Sequence, residues 1–193
     1  MKRWTVFSLV VVFILGATGC SNESVDLNPK ATESTIKSAP DWYTNPSDHI
    51  PEGSIGERAT ETSRDMMIAD EKAQNAARGA LRLQLEDIGE TGNDRFVKET
   101  GLDGDSEIVK RFEGGNRSAS ASALKNSRVV KNQTRVEKGG IYRAYVLMIA
   151  PDPQLELLRQ LARDKDIMEK FEQTEYFNDL SDRLDKYKER HTK

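Results

Sequence analysis

Hydrophobic residues are most concentrated at the N-terminus of this chain. A 13-residue apolar core runs from Trp4 to Gly16, after two basic residues, and three small residues follow it. The uncharged run from Trp4 to Gly19 has 16 residues, which would span about 24 Å as a helix. Because a hydrocarbon core is about 30 Å thick, the pattern predicts a secretory signal peptide over residues 1–19 rather than a membrane span.

The next segment, residues 20–39, is polar and has neither helical nor strand periodicity. We predict a flexible, disordered tether with an end-to-end distance of about 25 Å. Pro40 and Asp41 end the tether, and the adjacent rings of Trp42 and Tyr43 are predicted to clamp the chain entry onto a folded domain. The alternative for these two residues is an exposed ligand-binding pair of aromatics.

A strand followed by a long helix is predicted next. Residues 53–60 alternate, with Ile55, Glu57 and Ala59 on one face, and residues 62–65 have the spacing of a capping box. The helix is predicted to end near Ile88, with Gly89 as its C-terminal cap. A stripe of small residues lets such a helix approach a sheet closely, and Gly79 is expected to serve the same contact. The stripe consists of Ala69, Ala73, Ala76, Ala77 and Ala80.

The middle of the chain is predicted to change from helix to strand. Residues 90–117 indicate short helical pieces split at Gly101–Gly104, and the sequence SASASAL at 118–124 alternates with the period of a strand. The apolar phase then flips near residues 125–127, which predicts a bulge or break in one long strand. After the flip the apolar phase falls on the even positions, Val130, Thr134 and Val136.

The C-terminal third contains the strongest local signals. Lys138-Gly139-Gly140 predicts a hairpin turn, and residues 141–149 are apolar on both faces, as in a central strand. Asp152-Pro153 predicts a helix start, and amphipathic helices are predicted over residues 151–193, packed on their own domain or on a partner. The predicted fold is α+β: a small curved antiparallel sheet, in the order strand, long helix and strand hairpin, with added C-terminal helices.

Charge and composition exclude several classes of function. The chain has 29 basic and 32 acidic residues, and two of the basic ones lie in the predicted leader, so the rest carries a net charge of −5. No segment concentrates Lys and Arg strongly enough to suggest nucleic-acid binding, and an acidic chain is a poor ligand for phosphate backbones. One cysteine and two histidines, His49 and His191, exclude an internal disulfide and a four-ligand Cys/His zinc site. We expect no catalytic, cofactor-binding or metal-binding residues, no cofactor and no small-molecule substrate.

The end of the leader resembles the lipobox of bacterial lipoproteins. Ala17-Thr18-Gly19-Cys20 matches it at the last three positions and departs at Ala17, where leucine is usual. The resemblance implies that the leader is cut before Cys20 and that Cys20 is acylated. Ser21, in place of aspartate, implies sorting to the outer membrane. The alternative is an ordinary secreted protein with a free cysteine near its new N-terminus.

Residues 40–150 resemble the Lpp-20 lipoprotein family, which includes flagellar outer-membrane lipoproteins. The resemblance implies a dodecin-like fold and non-enzymatic envelope roles, with ring or disc assembly around the flagellar motor in some members. No catalytic residues carry over. The features that carry the resemblance are Pro40-Asp41-Trp42, Gly56 and Ala59, the spaced alanines Ala69, Ala73 and Ala77, and the segment Tyr142–Met148.

The expected function is therefore that of a lipid-anchored outer-membrane protein, facing the periplasm, which acts as a structural or assembly component of the envelope. Its expected partners are the membrane, further copies of itself, or envelope and flagellar proteins. The alternative is a periplasmic binding module that regulates a cell-wall enzyme. A hydrolase is a third class, but the sequence has neither a G-x-S-x-G motif nor a suitably placed histidine.

Overall fold

A computed structural model describes residues 38–191. The predicted signal peptide, Cys20, Ser21 and nearly all of the predicted tether lie outside the described residues. Six helices and three strands occur in the described part of the chain, together with a 3₁₀ turn at Pro46–His49. In chain order they are α1 (Asp41–Thr44), β1 (Ser54–Ser63), α2 (Met66–Thr100), α3 (Glu107–Lys125), β2 (Arg128–Glu137), β3 (Ile141–Pro151), α4 (Pro153–Leu161), α5 (Lys165–Phe171) and α6 (Glu175–His191).

The three strands form one antiparallel sheet in the order β1-β3-β2. The middle strand, β3, is buried from Ala144 to Ala150, as expected for a segment that is apolar on both faces. Gly139 and Gly140 of the hairpin turn have φ angles of 80° and 71°, which other residues rarely adopt. The predicted α+β class, the central strand and the turn are confirmed.

Helix α2 covers one face of the sheet and packs mainly on β1 and β3. Asp65 caps its start, because the carboxylate accepts hydrogen bonds from the backbone N–H groups of Met67 and Ile68 at 2.8 and 3.1 Å. The predicted alanine stripe is buried at Ala69, Ala73 and Ala77. These small side chains pack against the alternate residues of β3 that face the helix and form the first core with them.

The predicted end of α2 at Gly89 is wrong, because the helix continues to Thr100 and ends at Gly101, which has a φ of 66°. Gly89 instead faces α3: a β-carbon built on it would lie 3.6 Å from the Ser120 Oγ. The expected role of Gly79 at the sheet is also wrong, because nothing lies within 4 Å of a β-carbon built there.

The strand predicted for residues 118–124 is wrong, because this segment forms the second half of helix α3. Its buried residues recur at spacings of three and four, whereas Ala121 is exposed. They are Val109, Phe112, Asn116, Ala119 and Ala123. The bulge predicted near residues 125–127 is also misplaced: these residues end α3 and connect it to β2, and the register shift lies between Val129 and Lys131 of β2.

A second core lies where α4, α5 and α6 pack on α3 and on the distal part of α2. Phe96 and Phe112 stack with ring centroids 3.9 Å apart, and Phe171 packs edge-on against both. Asp152 caps α4 ahead of Pro153, as predicted. The C-terminal helices therefore pack on their own chain, in a core that takes residues from both sides of position 151.

Candidate interaction surface

The chain entry lies on the sheet face opposite α2. The Tyr43 ring packs edge-on against Tyr145, with centroids 5.0 Å apart, and the Trp42 ring lies 6.2 Å from Tyr43. Further along, Ile50 lies so close to Gly56 that a β-carbon there would approach Ile50 Cγ1 to 2.8 Å. The structure thus places Trp42 and Tyr43 at the point where the chain joins the sheet.

A cation holds this entry segment from the sheet side. The Arg58 guanidinium lies 5.1 Å from the centroid of the Tyr43 ring and donates hydrogen bonds to the carbonyl oxygens of Tyr43 and Thr44. Burial raises the pKa of the Tyr43 phenol, and the charge of Arg58 opposes this effect. Tyr43 is therefore neutral at physiological pH and serves in packing.

An exposed group of large apolar side chains lies at the hairpin end of the sheet. Met66, Met67 and Ile68 at the start of α2 are 53%, 77% and 47% exposed, and Val136 of β2 is 69% exposed. Ser63, near the start of α2, and Val136 both pair with Tyr142 of β3, which places the group at one end of the sheet. We call these four residues the apolar patch.

Strand β2 is an edge of the sheet, and within residues 38–191 no other strand pairs with its free side. Its side chains that face away from α2 include three cations, Arg128, Lys131 and Arg135. The register pairs them with Ile149, Leu147 and Arg143 of β3, whose side chains alternate with the helix-facing Ala144, Val146 and Met148. We call these three residues the basic strip.

Two open clefts lie on the helical side of the molecule. One, of about 130 Å³, is lined by the ion pairs Asp152–Arg183 and Glu52–Arg190 and by Lys186. The other, of about 210 Å³, lies between α2 and α3. Its polar lining is Glu86, Glu90, Asn93, Glu113, Asn116, Arg117 and Ser120.

Groupings with evident chemistry are not found among the described residues. In the range 38–191 no three histidine, cysteine, aspartate or glutamate side chains come together to hold a metal ion. His49 lies in the 3₁₀ turn and His191 at the end of α6. None of the helices in this range is long and apolar enough to cross a membrane.

Neither the apolar patch nor the basic strip can be predicted from the sequence alone. Methionine and isoleucine at a helix start suggest burial from sequence alone, so only the structure reveals that they are exposed. The strip depends on the bulge at Val129–Lys131, which sets the face on which each cation lies. In a regular strand, alternate residues share a face, so position 128 would lie on the face opposite to positions 131 and 135. The bulge adds one residue between them and brings all three cations to the same face.

Comparison with protein-family models, with curated proteins and with solved structures gives no match for this chain.

Proposed function

We propose that this protein is a non-enzymatic lipoprotein of the bacterial outer membrane, anchored through acylated Cys20, which works by assembling with other copies of itself or with envelope proteins. The observation that carries the assembly step is the apolar patch. Four large apolar side chains about half or more exposed, grouped at one end of a sheet, are typical of a surface that another protein covers. The anchoring step is supported by the leader and by the lipobox resemblance at Thr18, Gly19 and Cys20.

The assembly surface is the apolar patch rather than the edge of β2. Cations on an edge strand oppose pairing with a second copy of the same strand, since like charges would face each other. The C-terminal helices have most of their apolar faces buried in the second core, which leaves the patch as the larger exposed apolar group. Among residues 38–191, the other strongly exposed large apolar side chain is Leu83, which lies further along α2.

The anchor is tested by fractionating cell envelopes that contain the wild-type chain or Cys20→Ala. We expect the wild type in the outer-membrane fraction and the variant in the soluble periplasmic fraction, since one thioether-linked cysteine carries the acyl chains. If the variant has the same distribution as the wild type, the proposed anchor at Cys20 is wrong.

The assembly step is tested by cross-linking in cells with Met67→Asp and with Leu83→Asp as a matched control. Both substitutions place the same charge on an exposed position of α2, but only the first lies in the apolar patch. We expect Met67→Asp to remove the cross-linked species and Leu83→Asp to leave them. Equal yields in both variants would contradict the proposal. A motility assay on the same strains tests a flagellar role.

The second candidate is a periplasmic module that regulates a cell-wall enzyme. The polar groove between α2 and α3, of about 210 Å³, favours it, because a groove of this kind suits a partner's loop or helix end. Cross-linking distinguishes the two: self-assembly gives products of this chain alone, whereas regulation gives one product that contains a cell-wall enzyme. If the regulatory role is correct, Arg117→Glu in the groove should remove the cross-linked product that contains the enzyme, whereas Met67→Asp should not.

A further inference from the structure

Positive charge is segregated on the β2–β3 hairpin. Five basic residues and one acidic residue lie between positions 128 and 143, although the chain beyond the predicted leader is acidic overall. The one acidic residue, Glu137, is neutralised by Arg143 through a two-bond ion pair. The excess charge therefore belongs to the remaining cations, three of which form the basic strip.

Two residues of the strip, Arg128 and Lys131, are available to an external partner. Arg128 and Lys131 are exposed, and in the part of the chain that the structure describes neither side chain has an ion pair or a hydrogen bond. Here the register of β2 aligns them on one face of an edge strand.

The chain enters the fold beside this strip. The guanidinium of Arg135 donates a hydrogen bond to the carbonyl oxygen of Ser38, the first described residue. Cys20 lies 18 positions before Ser38, and the tether predicted for this segment would span about 25 Å. A lipid anchor at Cys20 would therefore keep the strip close to the headgroups of the same membrane.

We infer that the basic strip docks the domain on an anionic phospholipid surface, with Arg128 and Lys131 directed at headgroup phosphates and Arg135 holding the chain entry beside them. The inference deepens the proposed function, since it rests on the anchor to bring the strip near the lipid. Guanidinium and ammonium groups bind phosphate oxygens through charge-assisted hydrogen bonds. A basic side chain next to an anionic bilayer strengthens binding about fivefold, and the field decays over about 10 Å. The domain is therefore oriented with the β2–β3 hairpin facing the membrane.

The test uses the chain from residue 20 onward with Cys20→Ala, which lacks the acyl chains but keeps all described residues. Binding is measured by co-flotation with vesicles of phosphatidylethanolamine containing one-quarter phosphatidylglycerol, and with vesicles of phosphatidylcholine. We expect binding to the anionic vesicles only, and its loss at high salt because the contacts are electrostatic. The double variant Arg128→Gln/Lys131→Gln is expected to bind about 25-fold more weakly.

The matched control is Arg163→Gln/Lys165→Gln, which removes two exposed cations from the helical side of the molecule, neither of which has a carboxylate partner among the described residues. This variant has the same net charge as the strip variant, and we expect its binding to stay within about twofold of the parent chain. Unchanged circular dichroism of both variants establishes that they are folded.

Two results would overturn the inference: no preference of the parent chain for anionic vesicles, or an equal loss of binding in the strip variant and the control. Neither result bears on the anchor, because every arm lacks the acyl group. Failure of the anchor would appear only in the envelope fractionation of Cys20→Ala, so the two proposals fail in different experiments.

Discussion

At the scale of single residues, two glycines of α2 differ in what surrounds them. A β-carbon built on Gly92 would lie 2.6 Å from the Tyr176 hydroxyl oxygen, and Tyr176 is buried in the second core. A β-carbon on Gly79 would have nothing within 4 Å. Gly92 is therefore required for the approach of α6 to α2, whereas Gly79 costs helix stability without a packing benefit.

These surroundings predict opposite signs for the same substitution. Gly79→Ala should raise the free energy of unfolding by about 1 kcal/mol, because alanine has the higher helix propensity. Gly92→Ala should lower it by about 1–2 kcal/mol, since overpacking of a filled core outweighs the same propensity gain. Urea unfolding of both variants measures the difference. Stabilisation by both substitutions would mean that Tyr176 moves aside without cost and that the packing between α2 and α6 is loose.

At the scale of elements, the parts predicted correctly are those with local chemical signals. The Gly-Gly turn, the Asp152-Pro153 helix start and the doubly apolar strand β3 each depend on residues within a few positions of one another. The second half of helix α3 is not evident from the sequence because the serines and alanines at 118–124 alternate with the period of a strand. Its true period emerges only when Phe112, Asn116, Ala119 and Ala123 are taken together.

The end of α2 shows why the remainder could not be predicted. Gly89 and Gly101 both follow sequence that is compatible with a helix, so either could end α2. The helix continues past Gly89 because α3 packs beside that residue, and it ends at Gly101. That information belongs to the tertiary structure. The common face of the β2 cations likewise depends on tertiary structure, because the bulge at Val129–Lys131 determines which side chains lie on the same face.

The geometry at the end of α2 predicts that alanine substitutions at Gly101 and Gly104 differ in their effect on the free energy of unfolding. Gly101→Ala should lower the free energy of unfolding by about 1 kcal/mol, because alanine would have to adopt the left-handed conformation of this cap. Gly104→Ala should change it by less than about 0.5 kcal/mol, since a β-carbon there meets nothing within 4 Å and the residue has no positive φ. Thermal unfolding followed by circular dichroism compares the two. Equal effects would place the end of α2 elsewhere.

At the scale of the whole molecule, α2 joins two cores. Its first turns pack on the sheet through Ala69, Ala73 and Ala77, and Phe96 near its end packs in the second core. Because α2 contributes buried residues to both cores, unfolding of the helix in one core would remove packing contacts from the other. The sheet half and the helical half should therefore unfold in one cooperative transition.

This coupling is tested by removing one methyl group from each half. Ile149→Val acts in β3 and Ile167→Val in α5, and both side chains are buried, so each should cost about 1 kcal/mol. Trp42 is the only tryptophan beyond the predicted leader and lies at the sheet, so its fluorescence reports on that half, whereas far-ultraviolet circular dichroism is dominated by the helices. Because the two cores share α2, each variant should move both signals to the same lower urea concentration. A fluorescence transition that stays in place in Ile167→Val, while the circular dichroism transition shifts, would mean that the helical half unfolds independently.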